Sequence, residues 1–167
     1  MDELARRHRA EWESGPRGIE ALVARWRLAD TVFVKPLTFM NLSGQAIVSL
    51  LQFYKIDPSA LLVDVDDVNL ELGRLRIRSR GSAGGHNGLK SVIAASGSEE
   101  FARLRIGVGR GDGRRDLADH LLAKFDAEER TIVAETVSRT ADAVELFIAE
   151  GIGPVMNRYN RKEDDNR

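Results

Sequence analysis

Between Arg74 and Arg80 the chain alternates strictly: Arg74, Arg76, Arg78 and Arg80 fall on one side of an extended backbone, Leu75 and Ile77 on the other. Period-two patterning of this kind specifies a strand with one dry and one wet face. A fold built on it must supply a core for Leu75 and Ile77 and leave a row of guanidinium groups outside.

The neighbouring segments say what that core is made of. Ala60–Val65 is an apolar run broken only by Asp64 and ending in Asp66-Asp67, as expected of a buried strand whose carboxyl end meets solvent or a site. Phe101–Val108 reads as a further strand, and Ile19–Leu28 with Thr31–Val34 as a hairpin turning at Ala29-Asp30 and ended by Pro36. Glu13 to Gly18 is turn-rich, between this hairpin and a short helix over Asp2 to about Ala10. From Asn41, Ile47, Leu50, Leu51 and Tyr54 recur at helical spacing, with Asn41 or Ser43 available as the cap. Gly81–Gly85 leads into a helix from His86 to Ala95 with Leu89, Val92 and Ile93 inward. Leu117–Ala123 is expected as a short helix. Asp126-x-x-Glu129 has the form of a capping box opening the longest helix, whose apolar stripe takes in Ile132, Val133, Thr136, Val137, Thr140, Ala141, Val144 and Phe147 up to Gly151. Strands interleaved with helices predict an α/β layer fold, a twisted mixed sheet flanked by helices, as one domain over residues 1–160 with 161–167 as a disordered tail.

A chain of 167 residues with 43% hydrophobic content can bury a single core. No apolar run approaches the roughly 20 residues of a membrane span, so a cytoplasmic protein is expected, with no membrane partner. The absence of cysteine excludes disulfides and thiolate chemistry, and His8, His86 and His120 lack metal-site spacing, so neither metal nor cofactor is expected. Gly107-x-Gly109-x-Gly111 is no dinucleotide fingerprint, because the helix spacing and the following acidic residue are wrong. The net charge of −1 hides an asymmetry: residues 74–115 hold ten Arg/Lys against three Asp/Glu, while 57–73 and 116–167 are acidic. An anionic ligand approaching one face would need such a distribution, although arginines that merely solvate strands would give it too.

Several ordered blocks narrow the function. Lys35-Pro36-Leu37-Thr38-Phe39-Met40-Asn41-Leu42-Ser43-Gly44 and Gly84-Gly85-His86-Asn87-Gly88-Leu89-Lys90 resemble two signature blocks of bacterial peptidyl-tRNA hydrolases. Val63-Asp64-Val65-Asp66-Asp67 before Leu70-Glu71-Leu72-Gly73, Phe101 to Gly109, Ala118-Asp119-His120-Leu121-Leu122, and Gly151-Ile152 through Met156-Asn157 are similar to further blocks in the same order.

The resemblance implies cleavage of the ester joining a peptide's C-terminus to the tRNA 3′ ribose, by water that a histidine deprotonates; imidazole is the side chain whose pKa lies near neutrality. It implies that Asp66 orients that histidine, a residue that would otherwise read as a loop-capping acid, while Asp64 and Asp67 serve solvation or local hydrogen bonding. It places Asn41 against the peptide backbone beside the reacting carbonyl and Met40 in the pocket lining. An amide supplies donor and acceptor without acting as a base. Asn87 is implied near the 3′ end and water, with His86 supporting the site, at a helix N-terminus that favours negative charge. Gly85, with Gly84 and Gly88, would let a polynucleotide end approach the backbone. Arg76, Arg78, Lys90, Arg103 and Arg105 are the candidate phosphate contacts to the acceptor stem, chosen by duplex shape rather than base identity.

The family's first signature, an Asn-Pro-Gly strand end and a Thr-Arg-His-Asn-x-Gly turn carrying the general base, is expected to lie before Met1. The stretch from Met1 to Arg7 resembles the helix that follows that histidine, with Met1 where the family has valine, and His8 then lies a helix length past the turn. The expectation is a monomeric hydrolase, weakened about a hundred- to ten-thousand-fold without its base. The alternative is a non-catalytic RNA-binding protein on the same fold, which would have no use for the orienting carboxylate of Asp66.

Overall fold

The structure is a computed structural model and describes residues 1–111 and 121–161. The expected block Ala118-Asp119-His120, most of the expected helix over 117–123 and nearly all of the expected tail lie outside the described residues. The chain packs as two compact units, one of residues 1–62 and 79–102, the other of 63–78 and 103–167. The α/β character expected from the sequence is present, but the strands form two three-stranded sheets in place of one. No helix among the described residues is long and apolar enough to cross a membrane.

In the first unit, helix α1 (Asp2–Arg7) is tied by Glu3, whose carboxylate takes both Arg6 and Arg7 and is held down to about 2 by those two bonds. Strands β1 (Glu13–Ser14), β2 (Ala21–Trp26) and β3 (Thr31–Pro36) form an antiparallel meander in the order β1-β2-β3. The β2–β3 hairpin is the expected one, turning through a 3-10 segment at Arg27–Ala29 and a left-handed Asp30. β1 corrects the sequence reading: Glu13 and Ser14 pair with Val23 and Leu22 although Gly15 and Pro16 signal a turn. Two residues are too short for periodicity, and only the partner strand defines them.

A 3-10 turn at Met40–Leu42 runs into helix α2 (Ser43–Tyr54), which buries Gly44, Ala46 and Leu50. Ala21, Val23 and Leu50 form a core cluster with Val32, Val34 and Tyr54 packed around it. Helix α3 (Asn87–Ser96) packs on α2 and buries Leu89 and Val92, ending at a left-handed Gly97.

The second unit holds strands β4 (Leu62–Asp67), β5 (Leu75–Arg78) and β6 (Ala102–Gly107) in the order β4-β6-β5. β5 and β6 are antiparallel, with Arg76 opposite Arg105 and Arg78 opposite Arg103. β4 runs parallel to β6: the Ala102 amide donates to the Leu61 carbonyl and the Val108 amide to the Asp67 carbonyl, in constant step. The alternation read from sequence holds, with Leu75 and Ile77 buried and Arg76 and Arg78 exposed.

Helix α4 (Ala127–Glu150) opens on the expected capping box, Asp126 accepting from the Glu129 amide and Glu129 from the Asp126 amide. Its buried face is narrower than the predicted stripe. Thr136, Thr140, Ala141, Ala143 and Val144 are inside, whereas Ile132 and Val137 are 42% and 46% exposed. Small side chains on the inner face let the helix pack closely and leave the flanking apolar positions outside. Helix α5 (Ile152–Tyr159) follows, and Asn160 beyond it bonds both backbone groups of Ile77.

Candidate functional site

The site residues of the first unit gather where α2 and α3 begin. Asn41 sits in the 3-10 turn before α2 and Asn87 at the first residue of α3, and both are exposed. Neither amide makes a hydrogen bond to another described residue. The two segments are in contact through Met40, whose Sδ lies so near Gly88 that a Cβ there would be 2.6 Å away. Met40 itself is 55% exposed, so its sulfur packs while part of the side chain faces outward. Leu37 and Phe39, at 62% and 81% exposure, extend this apolar surface next to Asn41.

His86 has a structural task that sequence reasoning did not assign. It is the N-cap of α3, its Nδ1 accepting the Leu89 amide at 3.2 Å. Gly85 precedes it with φ of +87°, a left-handed conformation that glycine adopts without strain, and no atom stands near its would-be Cβ. The turn needs a glycine here for its backbone. Lys90 is exposed on α3, and its amide bonds the His86 carbonyl.

The expected cap of α2 is a correction. Leu42, not Asn41 or Ser43, occupies the N-cap position, and it makes no side-chain cap. The amide of Gly44 instead donates to Ser91 Oγ of α3 at 2.9 Å. Sequence patterning could not reveal Ser91, because the bond spans 47 residues.

In the second unit, Asp66 is partly buried near the carboxyl end of β4, flanked by Asp64 and Asp67. For Asp67 the expected local hydrogen bonding holds and solvation does not: it accepts the Asn69 amide at 2.8 Å and pairs with Arg105 at 3.1 Å, with 9% and 12% of the two side chains exposed. Nor is Asp64 solvated. Its residue is partly open, but Oδ1 is sealed from solvent without a hydrogen-bond partner, and burial pushes the carboxyl up to about 7.

The arginines separate into two groups. Arg76 and Arg78 are exposed on β5, available to an anion. Arg103 is 1% exposed, so the structure corrects its placement as a surface phosphate contact, and Arg105 is committed to Asp67. The sequence pattern could not separate these pairs, since Arg76 and Arg105, and Arg78 and Arg103, share a cross-strand position. Their burial depends on what covers β6.

On an α/β scaffold, the first unit carries exposed amides at two helix starts, and the second carries an outward pair of arginines on β5. A family model for peptidyl-tRNA hydrolase matches residues 1–167. A peptidyl-tRNA hydrolase of Chloroflexus aggregans is 45% identical over 161 residues, covering 96% of this chain and 86% of that one. One from Symbiobacterium thermophilum is 47% identical over 164 residues at the same coverage. A solved structure of peptidyl-tRNA hydrolase from Acinetobacter baumannii superimposes with a TM-score of 0.85 at 27% identity, covering 95% of this chain and 81% of that one. The chain belongs to the peptidyl-tRNA hydrolase family.

Proposed function

We propose that this protein hydrolyses the ester between a peptide and the 3′ end of tRNA. The observation that supports this most directly is the pair of exposed amides of Asn41 and Asn87, without a hydrogen-bond partner among the described residues, on two segments in contact through Met40 and Gly88. Asn41 holds the peptide backbone beside the reacting carbonyl, and Asn87 holds the ribose end and the attacking water. Each amide both donates and accepts, so it can follow the carbonyl oxygen as it gains charge. Asp66 orients the general base, and Arg76, Arg78 and Lys90 contact phosphates of the acceptor stem.

Both described histidines are engaged within the protein. His8 is stacked on Trp26 with ring centroids 3.5 Å apart, and His86 is committed through Nδ1 to capping α3. The outward arginines of β5 also suit a second reading, in which the chain binds RNA without cleaving it.

Single-turnover hydrolysis of N-acetylaminoacyl-tRNA separates the two. Release above the uncatalysed rate that falls with Asp66→Ala and Asn41→Ala supports the hydrolase. Tight binding with no release, equal in wild type and both variants, supports the binding protein.

A further inference from the structure

Helix α2 begins without a cap of its own, and its need is met from α3. Gly44 occupies the second helical position of α2, where an amide has no intrahelical acceptor. That amide donates to Ser91 Oγ at 2.9 Å. The two helices touch so closely there that a Cβ on Gly44 would stand 2.1 Å from the Ser91 carbonyl oxygen. The spacing is informative: Gly44 is three residues after Asn41, and Ser91 is four after Asn87. Ser91 thus lies one turn along α3 from Asn87, and Gly44 lies in the first turn of α2, directly after the 3-10 turn that holds Asn41. The bond therefore clamps the two segments one turn inward from both asparagines, and Met40 against Gly88 forms a second contact between them nearer the site.

The same bond bears on Asn41 chemically. Asparagine is among the strongest N-cap residues, and an uncapped α2 would compete for the Asn41 amide. With Ser91 supplying the acceptor, that amide is left without a protein partner among the described residues.

We propose that Ser91 is a positioning residue for hydrolysis: by capping α2 from α3 it sets the distance between Asn41 and Asn87 and keeps the Asn41 amide available to substrate. This deepens the reading that these two amides hold peptidyl-tRNA.

The test compares wild type with Ser91→Ala, Ser91→Cys and Ser91→Thr, each checked for folding by circular dichroism and melting temperature. Cysteine keeps the volume with a weak acceptor, and threonine keeps the hydroxyl. Ser91→Ala and Ser91→Cys are expected to lower kcat for N-acetylaminoacyl-tRNA by about ten- to a hundred-fold, the size of effect that small misplacement of reacting groups produces, with KM within about twofold and Ser91→Thr restoring the rate. A lower melting temperature with unchanged kcat overturns the proposal. The side-chain amide signals of Asn41 and Asn87 in 1H–15N NMR give a readout independent of catalysis. Displacement of the Asn41 signal in Ser91→Ala and its return in Ser91→Thr support the proposal even if wild type releases no tRNA, an outcome that would defeat the hydrolase reading alone. An Asn41 signal unmoved by Ser91→Ala overturns it.

Discussion

Asp67 and Arg105 form an ion pair across neighbouring strands β4 and β6, Nη1 to Oδ2 at 3.1 Å, with both side chains nearly out of solvent. Removing one partner from such a pair leaves a buried charge uncompensated, which is far more damaging than losing a surface bridge. Arg105→Ala is expected to lower stability by about 3–5 kcal/mol, measured by urea unfolding. An RNA-affinity loss without that destabilisation would return Arg105 to the phosphate-binding group.

Arg76 and Arg78 should behave oppositely. Both are exposed on β5, so Arg76→Ala and Arg78→Ala should leave unfolding free energy within about 0.5 kcal/mol. Each should weaken tRNA binding and reduce the slope of log affinity against log salt by about 1. Titrations at several salt concentrations check this, and an unchanged slope would place the RNA elsewhere.

Asp64 gives the protein a pH dependence of known sign. Burial raises its carboxyl from an ordinary value near 3.8 to about 7 in the folded state. Between those values the native state holds a proton that the unfolded chain has lost, so this group makes stability fall as pH rises from about 4 to about 7 and adds nothing further above that. The slope it can impose is at most about 1.4 kcal/mol per pH unit. Asp64→Asn should flatten the stability curve over this window and stabilise the protein at pH 8, as read by urea unfolding across pH.

Gly107 ends β6 against the turn that follows β4. A Cβ there would sit 1.9 Å from the Glu71 carbonyl oxygen, a contact with backbone that no rotamer relieves. Overpacking a tight site costs typically about 1–3 kcal/mol, and Gly107→Ala is expected at or beyond the upper end. A melting temperature unchanged by the substitution would show that the Leu70–Gly73 turn yields.

How much of this was legible in the sequence follows the range of the interaction involved. Arg76 and Arg78 outward with Leu75 and Ile77 inward, the hairpin at Asp30, and the capping box of Asp126 and Glu129 rest on residues a few positions apart, and each is where its pattern puts it. The family blocks brought Asn41, Met40, His86 and Asn87 into consideration, and the structure sets them at the starts of two packed helices. What could not be read depends on distant partners. Ser91 is found only once α3 lies on α2, Arg103 and Arg76 differ only in what covers them, and β1 exists only because Val23 and Leu22 stand opposite. Asp64 looked like a polar interruption of a strand, and only its sealed, unpartnered oxygen marks it as a titrating group.

The two packing units are interleaved along the chain, which passes from one to the other after Leu62, after Arg78 and again after Ala102. No single cut can release either as a contiguous fragment. Residues 1–100 hold nearly all of one unit but only sixteen residues of the other, so the strand bearing Asp66 has no neighbour in its sheet until β6 follows. The surroundings of Asp66 are thus completed only by a strand that lies beyond both Asn41 and Asn87 in the chain, and a chain interrupted before β6 would carry the two asparagines without them.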